Sequence, residues 1–138
     1  MLLNILTPTQ KLVQDLEVEE VIVPAHNGEL DVLEGHAPLM STLDTGVVRY
    51  REKIARKKNK LLFLGGYLEV NPKAVNILSE TAEEPTKIDL SRVTRAITEA
   101  EEKLAAGEIT LAEMEKYQRK LRRAHVRKLA VEGNKTSH

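Results

Sequence analysis

The chain has 138 residues, 41% of them apolar, enough for one domain or a small domain with an appendage. Only 3% are aromatic, so the core must be aliphatic, and with no cysteine there are no disulfides, thiolate metal sites or cysteine nucleophiles. Basic and acidic residues balance at 21 each, so no global field draws the chain to nucleic acid or membrane. The charges are nevertheless segregated: residues 1–84 carry 9 basic against 13 acidic residues, and residues 85–138 carry 12 against 8.

In chain order, the first eighty residues read as short strands. Met1–Leu6 is apolar but too short for a targeting segment, lacks a basic flank, and runs into the turn chemistry of Thr7-Pro8-Thr9-Gln10. Lys11–Leu16 and the Val/Ile-rich Val18–Val23 follow as strands. Pro24, Gly28, Gly35 and Pro38 then punctuate a pair of shaped loops around a short strand, Glu29–Leu33. Gly46–Arg51 and Lys60–Leu64 flank a basic connection, and Tyr67–Val70 and Ala74–Leu78 flank the tight-turn signature Asn71-Pro72-Lys73. Gly65-Gly66 predicts a bend where a strand passes from one sheet to another. Closely spaced short strands predict a small β-sandwich over residues 1–84.

Near Pro85 the apolar period changes from two to about three and a half. Leu90, Val93, Ile97, Ala100 and Leu104 form a narrow seam on a helix opened by an Asp89 N-cap and closed by Gly107. Thr110-Leu-Ala-Glu113 is a capping box for a second helix, continued by Leu111, Met114, Tyr117 or Gln118, Leu121 and Ala124. Ala96, Ala100, Ala105, Ala112 and Ala124 are small enough to let the two helices approach. The short connection makes residues 85–138 an antiparallel helical hairpin, with Gly133–His138 as a frayed tail. A hairpin with so thin a seam folds reliably only when docked, on its own sandwich or on a partner, which makes it a candidate bistable element.

Four ordered motifs give the chain a family resemblance. These are Gly28-Glu29-Leu30 with Gly35-His36-Ala37-Pro38-Leu39, Leu64-Gly65-Gly66-Tyr67-Leu68-Glu69-Val70, Val75–Glu83, and Ile88-Asp89-Leu90-Ser91-Arg92. In this order and spacing they resemble the epsilon subunit of F-type ATP synthases over nearly the whole chain. Asp31, Glu34 and Val93 depart from the family pattern. The resemblance implies a ten-stranded β-sandwich followed by a two-helix hairpin, in a non-catalytic subunit of the rotary central stalk. In that family the sandwich grips the gamma subunit and sits on the c-ring. The hairpin lies folded, or extends toward the catalytic alpha and beta subunits and obstructs ATP hydrolysis. By position, Glu29 lies in the loop that faces the c-ring and His36 near the gamma contact. The implied location is peripheral, on the cytoplasmic face of a bacterial plasma membrane or on a thylakoid membrane, held only through the complex.

Other signals have plainer readings. His26, Glu29, Asp31, Glu34 and His36 lack any metal-ligand spacing, and solvated loop polarity accounts for them. The basic run from Arg49 to Lys60 has only Tyr50 for base stacking, so it reads as a solvated hairpin connection rather than a nucleic-acid surface. Seven cations from Lys116 to Lys128, among them Arg119, Arg122, Arg123 and Arg127, exceed what a helix C-terminus requires and suit an acidic partner. The resemblance also leaves a regulatory ATP open, at Asp89, Arg92, Arg123 and Arg127; no other cofactor is implied. No nucleophile–base pair, phosphate loop or zinc motif supports intrinsic catalysis. A free-standing adaptor built from a sandwich and a hairpin is the competing reading.

Overall fold

The computed structural model describes residues 1–136 and divides after Glu84 into two compact units. The first contains strands β1 (Leu2–Leu6), β2 (Lys11–Ala25), β3 (Gly28–Leu33), β4 (Leu39–Glu52), β5 (Lys58–Val70), β6 (Ala74–Ser79) and β7 (Ala82–Glu83). These strands form a sheet that closes on itself. β1 pairs antiparallel with β2 and parallel with β6, and the path returns through β5 and β4 to β2. β3 pairs with the C-terminal half of β2, and β7 pairs with Leu62 and Phe63 of β5.

Ten strands were expected and seven are present, because three long strands run through irregularities that would split each in two. In β2, Asp15 adopts a left-handed backbone (φ 48°) and the register with β1 slips between Leu3 and Ile5. The Asn4 side chain holds this bulge, accepting from the Asp15 N–H at 2.8 Å and donating to Asn76 at 3.0 Å. The register of β4 against β2 shifts between Ile22 and Ala25. β5 bends at Gly65-Gly66 but continues, exchanging one neighbour for another: Leu62 and Phe63 pair with β7, and Gly66 onward pairs with β6. Ser79 Oγ secures the corner, lying 2.7 Å from Gly65 O and 2.8 Å from Thr81 O.

Alternation along each strand sends one set of side chains inside. Leu3, Ile5, Val18, Val21, Val23, Val32, Val48, Leu68, Val75 and Ile77 are buried around the single phenylalanine, Phe63, giving the aliphatic core that the composition demands.

The second unit opens with a short 3-10 turn, Pro85–Lys87, followed by α1 (Leu90–Ala106) and α2 (Leu111–Thr136). Asp89 caps α1, accepting from the backbone N–H groups of Ser91 and Arg92, and Gly107 ends it in a left-handed conformation (φ 71°). Thr110 and Glu113 form the reciprocal capping box. The seam is shorter than its apolar pattern suggested. Val93, Ile97, Ala100 and Ala124 are buried, with Ile88 and Leu121 packed beside them. Leu111 and Met114 are exposed, as are Ala96, Ala105 and Ala112. The first turns of α2 therefore present their apolar residues to solvent rather than to α1. α2 also continues through Gly133 to Thr136, where a frayed tail was expected. Ala130 and Val131 are buried just before that stretch, which favours continuation over fraying. Ser137 and His138 lie outside the described residues.

The Gly65-Gly66 bend is the tightest point of the sheet. A Cβ on Gly66 would collide with the Leu78 carbonyl oxygen, which is fixed by strand pairing and cannot give way. Gly66→Ala should destabilise the first unit by roughly 1–3 kcal/mol, as overpacking does. Gly107→Ala, which meets open space and strains only its own backbone, should cost about 1 kcal/mol. Urea unfolding of both variants checks the order; equal midpoints would contradict it.

Candidate partner-binding surfaces

Strand register sets an apolar row on the outside of the sheet. Thr42 faces Tyr67, Tyr67 faces Leu78, and Leu78 lies beside Leu6 on the parallel strand. Their sequence neighbours Leu43, Leu68, Ile77 and Ile5 point inward and are buried, so this row points out. Tyr67 is 64% exposed and Leu78 51%; Met40, two residues before Thr42 and on the same face, is 81% exposed. Two depressions adjoin the row, one lined by Leu6, Pro8, Gly65, Tyr67 and Leu78, the other by Met40, Thr42, Tyr67, Glu69 and Asn76. Large apolar side chains grouped on one sheet face and rimmed by polar ones mark an interaction surface. Sequence reading missed this surface. Its signal was the adjacent apolar pairs Leu39-Met40, Tyr67-Leu68 and Ile77-Leu78, which no half-buried strand needs.

His36 belongs to the connection leading into that face. Its N–H donates to Leu33 O at 3.1 Å, closing the Glu34-Gly35 turn, and its Nδ1 lies 2.7 Å from Ala37 O. The loop is thus shaped by its own backbone, and His36 is half-buried four residues ahead of Met40.

Glu29 lies on β3 rather than in a loop, opposite Pro24 in the β2–β3 hairpin. Its carboxylate accepts from Arg49 Nη2 at 2.8 Å. This pair belongs to a wider pattern: Arg49, Arg51 and Lys53 alternate along the chain and meet carboxylates on neighbouring segments. Arg51 Nη2 donates to Glu20 at 3.2 Å, and its Nε lies 3.2 Å from Glu19 without hydrogen-bond alignment. Lys53 Nζ donates to Glu34 Oε1 at 3.0 Å, and the Met1 ammonium reaches the same oxygen at 2.9 Å. Hydrogen bonds from the Met1 ammonium, then from Lys53, hold the Glu34 carboxyl below its usual range, and Glu34 in turn raises Lys53. Three of the seven cations in the basic run are therefore ion-paired to neighbouring segments, where a wholly solvated connection was expected. The period-two spacing of 49, 51 and 53 against the acids of 17–34 was the available signal.

On the hairpin, Arg92, Arg119, Arg122 and Arg123 are exposed and Arg127 is half-buried. Arg119, Arg123 and Arg127 are four apart and share one helix face, with Arg122 one step round. Lys120 Nζ lies 5.6 Å from the Tyr117 ring centroid, a cation–π distance. The seam joins Ile88 and Val93 to Leu121 and Ala124, so the start of α1 and the arginine-bearing half of α2 share one end of the hairpin. The Asp89 carboxylate is occupied by the backbone cap there. Among the described residues, no group of three or more His, Asp or Glu is placed to hold a metal ion, and no helix is long and apolar enough to cross a membrane.

Comparison with known proteins shows the family of the chain. Residues 1–85 match the family model of the ATP synthase delta/epsilon chain β-sandwich domain. The ATP synthase epsilon chain of Bdellovibrio bacteriovorus is 40% identical over 119 residues, covering 86% of this chain and 85% of that one. The epsilon chain of Trichodesmium erythraeum is 38% identical over 125 residues, covering 89% and 90%. In fold, the chain is similar to one in a cryo-EM structure of the Euglena gracilis mitochondrial ATP synthase. That match has a TM-score of 0.73 and 21% identity, and covers 95% of this chain and 76% of the other. A chain of the Tetrahymena thermophila mitochondrial ATP synthase central stalk and c-ring gives 0.69 and 14%, covering 95% and 96%. With its sheet unit matched by the family model and most of its length shared with bacterial relatives, the chain belongs to the ATP synthase delta/epsilon family, among the epsilon chains.

Proposed function

We propose that the chain works as the rotor subunit of an ATP synthase central stalk, with the sheet unit as its grip and the hairpin as its brake. It performs no chemistry of its own. It is peripheral to the membrane that houses the complex, on the side bearing the catalytic alpha and beta subunits, which is the cytoplasmic face in a bacterium. The observation that carries the reading is the outward row of Tyr67, Leu78 and Met40, apolar area that an isolated globular unit would bury. The gamma subunit is its occupant in this reading, with the His36 loop at the rim. Glu29, held by Arg49 on the hairpin edge, is assigned to the c-ring side. A free-standing adaptor would carry a similar face, but family membership over both units tells against it.

The brake rests on the balance within the hairpin. A seam of a few aliphatic residues holds α1 to α2, so little is lost when they separate. The basic face of α2 then gains contact with an acidic surface of a catalytic subunit. A partner shifts such an equilibrium only by its differential affinity for the two states. Exposed ion pairs contribute under ~1 kcal/mol each, so several must act together. A regulatory ATP, held by Arg92, Arg123 and Arg127 at the end of the hairpin away from the Gly107–Thr110 connection, would bias it toward the folded state.

Two outcomes follow. Replacing Tyr67 and Leu78 by Asp should weaken gamma binding by roughly 100-fold or more, the scale of a two-residue hot spot, while leaving the isolated chain folded. Titration calorimetry with purified gamma subunit checks this, and unchanged affinity would move the grip elsewhere. Replacing Arg119, Arg122, Arg123 and Arg127 by Ala should raise ATP hydrolysis by the assembled complex and leave gamma binding intact. If neither that variant nor removal of residues 85–138 changes hydrolysis, the hairpin is no brake.

A further inference from the structure

The first unit contains five asparagines, and four of them are held by hydrogen bonds. Asn4 Nδ2 donates to Asn76 Oδ1 at 3.0 Å, and Asn59 Nδ2 donates to Glu52 Oε2 at 3.0 Å. Asn71 Oδ1 accepts from the Lys73 and Ala74 N–H groups at 2.9 and 2.8 Å. Asn27 has no such bond among the described residues, and it is exposed in the β2–β3 turn.

Asn27 is also the one asparagine of the chain that precedes a glycine. Gly28 has a φ of 116° and open space where a Cβ would stand, so no side chain shields its backbone nitrogen. In the β2–β3 ladder only the outermost pair, Ala25 with Gly28, must yield for that nitrogen to turn on the Asn27 side chain. The pairs from Pro24–Glu29 to Glu20–Leu33 can stay in register. The other exposed turn asparagine, Asn71, precedes Pro72, which has no N–H to lose.

We propose that Asn27–Gly28 is a site of spontaneous deamidation, a covalent modification that needs water and no enzyme. The Gly28 nitrogen gives its proton to solvent and attacks Asn27 Cγ, and the new C–N bond closes a cyclic imide as ammonia leaves. Water then adds to either imide carbonyl and breaks its bond to that nitrogen. Opening at Cγ gives aspartate; opening at the backbone carbonyl gives isoaspartate, whose main chain runs through the side-chain carbon. Either product sets a carboxylate close in the chain to Glu29 and Asp31, which already stand on β3, and like charges so grouped repel. Isoaspartate also lengthens the turn by a methylene. The reaction does not rest on the rotor reading, but its effect on a c-ring contact at the Glu29 edge does.

Incubating the native chain in heavy-oxygen water at neutral pH, then mapping its peptides by mass spectrometry, tests the site, because only newly formed carboxylates carry the label. The Asn27 peptide should take up label about tenfold faster than the Asn59 peptide, the order that one hydrogen bond and a shielding side chain contribute to a rate. It should elute as separate aspartate and isoaspartate forms. Asn27→Gln should abolish that uptake, since the longer side chain closes the ring poorly. Label entering Asn59 or Asn134 as fast as Asn27 would overturn the proposal. So would an Asn27 that stays unlabelled in the folded chain over a period in which urea-unfolded chain converts it. In complexes stripped of the native chain, the converted form should rebind less tightly than the unconverted one. Equal rebinding by a form shown to be converted would contradict the c-ring assignment of Glu29, while the label itself upholds the modification.

Discussion

Closure of the sheet through β1 is the constraint on which the first unit depends. A five-residue strand pairs on both edges, antiparallel with β2 and parallel with β6, and so turns an open path into a ring. An open sheet of this size would leave two unpaired edges, each a template for association with another chain. Closure removes most of that edge and fixes which side of every strand is inside. Because side chains alternate, the same registers that bury Ile5, Leu68 and Ile77 also push Leu6, Tyr67 and Leu78 outward. The partner surface is thus a direct consequence of core formation.

The bends that make closure feasible are local and chemically specific. Asn4 clamps the Asp15 bulge, Ser79 clamps the corner at Gly65, and Gly66 admits the Leu78 carbonyl. Each sits beside the exposed apolar row or beneath it. The hairpin contrasts with this rigidity. Its caps at Asp89, Gly107 and Thr110 fix helix limits, while its seam contributes little packing between helices. One chain therefore joins a braced, closed sheet to a hairpin held by a thin seam.

Much of this was legible in the residues. The helix limits followed from Asp89, Gly107 and the Thr110–Glu113 box, because caps act over three or four residues and need no tertiary context. The four ordered motifs indicated the family. What escaped reading depended on pairing across distant segments. Nothing local says that Arg49 meets Glu29, or that Tyr67 lies between Thr42 and Leu78, since register couples residues on different strands that are far apart in the chain. The exposure of Leu111 and Met114 escaped for a similar reason. Helical periodicity marks an apolar stripe but does not say how far along it the partner helix reaches.

The central claim is that the outer row of β4, β5, β6 and β1 seats the gamma subunit. Hydroxyl-radical footprinting tests it directly, because methionine and tyrosine side chains react readily when exposed. In the isolated chain Met40 and Tyr67 should be modified freely. On adding the gamma subunit both should become strongly protected, while Met114 on α2 is unchanged. Protection confined to α2, with Met40 and Tyr67 as reactive as before, would contradict the account.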